Sequence, residues 1–200
     1  MAAEDVTGHL EIRLRDGCQR PLEEATIGEV QLGAAMPWAR IADRNERGGK
    51  MTDAPSTEHE RLAVLVGSWR TGGWTREAPG APAARIDATD TYEWLPGRFA
   101  LLHRVDAHVG DQRVEGAEII GYDPDRGSYV TQYFGSDGPT AYEANLSEED
   151  GTLAWCMRSE SNRFTGTFSA DGHTITGHWE RLQGSTWHPW MDITLTRQAK

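Results

Sequence analysis

Turn signals recur too closely in this chain for it to be helical. Pro96-Gly97, Asp123-Pro-Asp-Arg-Gly127, Glu148-Glu-Asp-Gly151 and Asp171-Gly172 cut residues 90–180 into short segments. Proline pre-sets φ and glycine accepts a left-handed backbone, so each cluster turns the chain. Between the turns, apolar and polar residues alternate, the period of a half-buried strand. A tight turn at Asp150-Gly151 pairs Glu149 with Thr152, so Leu146 faces Trp155 and Ala144 faces Met157. Glu143 opposite Arg158 and Asn145 opposite Cys156 then fall on the reverse side. Asp171-Gly172, read as a type I′ turn, pairs Phe168 with Ile175, Gly166 with Gly177 and Phe164 with Trp179. One side is apolar and the other polar, as an antiparallel sheet with one covered side requires. The paired glycines mark a bend or a close approach to the backbone.

The strand count comes to nine or ten, ending with Trp187 to Arg197, where Met191, Ile193 and Leu195 alternate with Asp192, Thr194 and Thr196. Consecutive hairpins without a long crossover predict an all-β, up-and-down antiparallel barrel of about ten strands, which leaves no open edge. Leu62, Leu65 and Val66 are spaced for a short helix over Glu58–Val66 before the first strand, capped by Thr57 or Ser56 with Glu60 closing a capping box. Residues 1–55 read as a loosely packed extension and 56–200 as the barrel domain; Met51-Thr-Asp-Ala-Pro looks like a second, ordinary start.

Asp90 to Val105 carries the most chemistry. A loop of two residues (Pro96-Gly97) or four (Leu95 to Arg98) sets Trp94 opposite Phe99, Tyr92 opposite Leu101 and Asp90 opposite His103. All six then project inward, and Thr91, Glu93, Ala100, Leu102 and Arg104 project outward.

Net charge is −11 with no basic run, which argues against nucleic acid and against an anionic membrane surface. No apolar run reaches the ~20 residues of a membrane span, and the N-terminus lacks a secretory pattern. Two cysteines, Cys18 and Cys156, are too few for a disulfide framework; the plain reading is a reduced cytoplasmic setting with Cys156 an inert thiol. Eight Trp and 22 Gly fit a β protein with tight turns and wide side chains in its interior.

Leu62-x-x-Leu65-Val-Gly-Ser-Trp69, Glu93-Trp-Leu-Pro-Gly-Arg-Phe99, and Ile120-Gly-Tyr-Asp123 followed by Tyr129 resemble a group of bacterial calycin-like domains, a domain-of-unknown-function family, over about residues 56 to 197. The resemblance implies a lipocalin-type barrel with a central cavity and is silent on activity. In architecture the family stands near nitrobindin-like haem barrels, whose site needs a proximal His late in the chain. His178 and His188 are late enough, but the opening Gly67-Ser-Trp-Arg-Thr-Gly-Gly73 departs from that pattern.

A carboxylate bonded to imidazole fixes the tautomer and raises basicity, so Asp90 and His103 form a candidate general-base pair. The bland alternative is a polar pair that satisfies itself inside a barrel. No Ser or Cys nucleophile stands in a recognisable setting, and the His residues fall one per element without metal-ligand spacing. The aromatic set of Tyr92, Trp94, Phe99, Trp155, Phe164, Phe168 and Trp179 either fills the core or lines a cavity.

The reading that follows is a binding protein for one small, mostly apolar or aromatic molecule, without a cofactor or metal. Trp94, His103, Tyr133, Trp155, Met157 and Trp179 line the site, and Asp90 orients His103. The alternatives are a cofactor-free isomerase or hydrolase using Asp90 and His103, a haem barrel, and an interaction module that forms a homodimer through its outer faces.

Overall fold

A computed structural model describes residues 54–76, 82–136 and 138–199. The expected extension over 1–55 lies outside them except for Ala54 and Pro55. One short helix, α1 (Thr57–Arg61), runs into a 3-10 turn (Leu62–Val64). Ten strands follow: β1 (Gly67–Thr75), β2 (Arg85–Trp94), β3 (Ala100–Val109), β4 (Gln112–Asp123), β5 (Ser128–Gly135), β6 (Gly138–Glu149), β7 (Thr152–Arg158), β8 (Asn162–Phe168), β9 (Thr174–Gln183) and β10 (Thr186–Arg197). Every strand pairs antiparallel with its sequence neighbours, and β1 pairs with β10, so the sheet closes as the up-and-down barrel that the hairpin series predicts.

The β6–β7 and β8–β9 registers match the expected ones pair for pair. Asp150 and Gly151 both have positive φ, the backbone of a type I′ turn. At β8–β9 the register holds but the turn differs. Gly172 alone is left-handed, and its N–H bonds back to the Ser169 carbonyl in a wider loop. Of the two expected caps, Ser56 takes the position and the helix begins at Thr57. His59, not Glu60, closes its capping box, its Nδ1 accepting from the Ser56 N–H at 3.1 Å. Glu60 pairs with Arg98 instead, at 2.8 Å.

The helix end of the barrel is solid. Leu62, Leu65, Trp69, Leu101, Ile120 and Tyr129 are only 0–2 % exposed. Arg61 Nη2 donates to the Leu146 carbonyl at 2.7 Å and the Tyr129 hydroxyl to the Glu58 carbonyl at 2.9 Å, which seats the helix across the opening. Arg197, the last residue of β10, lies over the Trp69 ring at 4.0 Å and donates to the carbonyls of Val64 and Val66. These bonds satisfy carbonyls at the end of the 3-10 turn that no helical partner reaches.

The paired glycines have a specific cause. A Cβ at Gly166 would stand 2.7 Å from the Phe164 ring, and one at Gly177 would stand 2.5 Å from it. The ring lies flat across both strands. Gly116 and Gly135, paired on β4 and β5, are covered by Tyr133 in the same way. Gly177→Ala therefore overpacks the wall, and urea denaturation is expected to show a loss of about 1–3 kcal/mol. Adding Phe164→Leu should recover part of that loss; a fully additive double variant would show that the two positions do not touch.

Candidate functional site

Five buried polar side chains meet inside the barrel, one from each of β1 to β5: Thr71, Asp90, His103, Glu118 and Thr131. They form a continuous chain. Thr71 Oγ1 donates to Asp90 Oδ2, Asp90 Oδ1 lies 2.9 Å from His103 Nε2, His103 Nδ1 lies 3.1 Å from Glu118 Oε2, and Thr131 Oγ1 donates to Glu118 Oε1. The arrangement is nearly a mirror image about the imidazole: hydroxyl, carboxylate, ring, carboxylate, hydroxyl. Tyr92 stacks on the ring, with centroids 4.0 Å apart and planes 6° from parallel.

Burial opposes charge on His103, but the hydrogen bonds its N–H groups donate to Asp90 and Glu118, and the negative charges there, prevail and raise its pKa to about 9. The imidazole is thus a cation at neutral pH with both nitrogens engaged. Such a group has no lone pair with which to accept a proton. Burial, then the charges of Asp90 and Glu118, push the Tyr92 hydroxyl far up, which keeps it protonated.

The belt occupies half of the girth. At β6 to β10 the buried inward residues are all apolar: Ala144, Leu146, Trp155, Met157, Phe164, Phe168, Ile175 and Leu195. Exposure also grades along the axis. Below the belt, toward α1, the core is solid; the belt residues are 4–9 % exposed. Above it, Tyr133, Tyr142, Trp179 and Ile193 face inward by register and are only half-buried, whereas Ile86, Ala88 and Ala107 on β2 and β3 stay 5–6 % exposed. The interior is a cup that opens away from the helix, with the polar belt as part of its floor. Two depressions lie mainly on the outer face of the wall. One of about 340 Å³ lies over β1 and β2, among Arg70, Gly72, Trp74 and Asp87; the other, of about 400 Å³, lies over β4 to β6, among Ile119, Val130, Gln132 and Glu143. Both are open rather than sealed, and neither is an enclosed central chamber.

Asp90 and His103 do meet, though not as direct partners. Asp90 pairs with Val105 and His103 with Tyr92, a register two residues from the expected one. Gly97 and Arg98 both take left-handed backbone (φ 87° and 59°), which places Phe99 in the loop and starts β3 at Ala100. A slip of two preserves parity, so the side chains stay on one face and reach each other diagonally. Phe99 is the exception. It is 39 % exposed and packs edge-on against His59, outside the barrel.

The other expected site residues separate by level. Trp94 lies at the helix end, half-buried, with the Arg98 guanidinium 5.0 Å from its ring centre. Trp155 is core, 5.6 Å from Tyr129. His103 and Met157 belong to the middle. Tyr133 and Trp179 belong to the open half, Trp179 resting on Tyr142 at 5.8 Å and on Phe164 at 5.1 Å. His178 faces outward opposite Thr165 and Asp192, and His188 is exposed. His178 therefore turns its imidazole away from the cup, while His188 pairs with Arg181. Cys156 is disulfide-bonded rather than a free thiol, so it offers no nucleophile.

Glu118, Thr71, Thr131 and Tyr142 escape the sequence reading. Glu118 leaves a trace there: a two-residue turn at Gly110-Asp111 pairs Val109 with Gln112 and so sets Glu118 directly opposite His103.

Residues 54–197 match a family described as "Protein of unknown function (DUF1579)". The chain belongs to this family. A search of curated proteins found no match. Among solved structures, Rv2717c from M. tuberculosis is similar, with a TM-score of 0.57 at 12% identity over 72% of this chain and 99% of that one. That likeness shows a shared barrel. The S-type phycobiliprotein lyase CPES from Guillardia theta aligns with a TM-score of 0.49 at 12% identity, covering 74% of this chain and 96% of that one. Among the described residues of this DUF1579 chain, no helix is long and apolar enough to cross a membrane.

Proposed function

We propose that this DUF1579 barrel binds one small, mostly apolar or aromatic molecule in its open half. The ligand rests on Tyr133, Tyr142, Trp179 and Ile193, with the belt around His103 beneath it. The observation that carries this reading is the axial gradient. A barrel built only to be stable has no reason to pack one half solid and leave wide aromatic side chains half-bare in the other. Trp94 and Trp155 then act as scaffold, and His103 and Met157 as floor. The general-base alternative loses its support, because both imidazole nitrogens are already bonded to carboxylates. The cytoplasmic setting expected from the low cysteine count has one observation against it, the disulfide at Cys156.

Titration with the neutral dye N-phenyl-1-naphthylamine tests the reading. One site is expected, with Trp179→Ala weakening it about tenfold, the size of a typical aromatic anchor. Trp187→Ala, on the outer side of β10, should leave binding unchanged. Absence of binding, or a Trp179→Ala variant that binds as wild type, overturns the cup.

A homodimer through the outer faces has its own observation. Ile119 and Phe134 are diagonal neighbours on the outside of β4 and β5 and are 38% and 55% exposed. Sedimentation of wild type and Phe134→Asp tests it: a dimer that the variant splits supports the face, and a monomer at all concentrations removes it.

A further inference from the structure

We propose that the ligand meets the belt with a hydrogen-bond donor or a positive charge, so that its chemical class is an apolar or aromatic body carrying an amine, amidine or comparable N–H head. This rests on the cup reading above and deepens it.

The argument is a count of donors. The belt's own hydrogens are two hydroxyl protons, from Thr71 and Thr131, and two imidazole N–H groups of His103. All four point at Asp90 and Glu118. Each carboxylate has roughly four lone-pair positions, of which the belt fills two. The threonine oxygens also keep lone pairs. Every valence the five residues leave open is therefore an acceptor. Charge points the same way. Two carboxylates stand against one imidazolium, a surplus of one negative charge wherever the shared protons sit. Among the described residues, neither Asp90 nor Glu118 forms an ion pair with an arginine or lysine; His103 is their cationic partner. The Tyr92 hydroxyl can donate or accept, so it does not set the preference. A carboxylate or phosphate head over this floor would meet lone pairs and like charge in a poorly solvated place, where both cost most.

The apolar wall on the far side completes the match. The same cup offers acceptors on β1 to β5, while the buried inward side chains of β6 to β10 are all apolar. A ligand that is cationic at one edge and apolar at the other satisfies both halves.

Three probes of one shape separate the outcomes: 2-phenylethylamine, 3-phenylpropionate and ethylbenzene, each displacing N-phenyl-1-naphthylamine at pH 7. Salt near about 150 mM suppresses the pull of the chain's overall negative charge. The amine is expected to bind at least about tenfold tighter than the carboxylate, a step of about 1.4 kcal/mol. Glu118→Gln removes the surplus charge and should collapse that ratio. A carboxylate that binds as tightly as the amine, or a ratio that survives Glu118→Gln, overturns the proposal. Should that variant fail to fold, the wild-type ratio still decides, and Asp90→Asn repeats the test from the other side of the ring. If ethylbenzene binds and the two charged probes bind alike, the cup stands and only the donor assignment falls. If none of the three binds, both fall together.

Discussion

Replacing His103 by Ala should lower the unfolding free energy at pH 7 by about 3–5 kcal/mol, the range found when one partner of a buried ionic cluster is removed. Three losses coincide in the variant. The cation between Asp90 and Glu118 disappears, so two carboxylates face each other across an empty space. Each carboxylate loses a charge-assisted hydrogen bond. Tyr92 loses the ring it stacks on, and a cavity replaces it. Urea denaturation at pH 7 and pH 5 separates the electrostatic part from the packing part. The deficit should shrink toward pH 5, because a proton shared between the carboxylates then does some of the work of the imidazolium. A deficit equal at both pH values would assign the loss to packing alone. A variant as stable as wild type at pH 7 would show that the belt carries no charge.

Wild-type stability should also fall between about pH 6.5 and pH 9. The folded pKa of His103 is raised to about 9 from the ordinary 6.5. A group that holds its proton more tightly when folded stabilises fully below the unfolded value, and that contribution fades as pH rises through the folded one. At about 1.4 kcal/mol per unit, the shift corresponds to roughly 3 kcal/mol lost by the time His103 is neutral. Tyr92 acts in the same sense but only above its ordinary value of 10.0, so a scan that stops near pH 9.5 isolates the histidine. Proton NMR of the His103 ring gives the direct reading: a midpoint near 9 supports the clamp, and one near 6.5 removes it. In His103→Leu the alkaline slope should vanish.

How much of this is legible in the sequence depends on the turns. Asp150-Gly151 adopts a backbone that only one register satisfies, so Leu146–Trp155 and Ala144–Met157 could be paired from sequence. At Pro96-Gly97 the side chains gave no hint that Arg98, a residue with a Cβ, would also turn left-handed, and the register slipped by two. The slip did not hide the Asp90–His103 contact, because parity survives an even shift. It did misplace Phe99, which the loop carries out to His59. Glu118 was within reach through the Gly110-Asp111 turn. Thr71 was not: the connection from Thr75 to Arg85 is long and sets no register, so nothing local ties β1 to Asp90. The mixed character of the interior was hidden for a related reason. Each polar belt residue looks unremarkable on its own strand, and only closure of the sheet brings the five side by side.

The seam between β1 and β10 joins the first strand to the last. While the chain is being made, β1 can pair with β2 on one side only. Its other edge stays bare until Thr186–Arg197 leaves the ribosome. Throughout that interval the nascent molecule is an open ribbon with two unpaired borders, able to recruit a strand from a neighbouring polypeptide. Arg197, in that closing strand, clasps Trp69 and the carbonyls of Val64 and Val66. The strand's arrival times the moment at which the chain stops being a hazard to its neighbours.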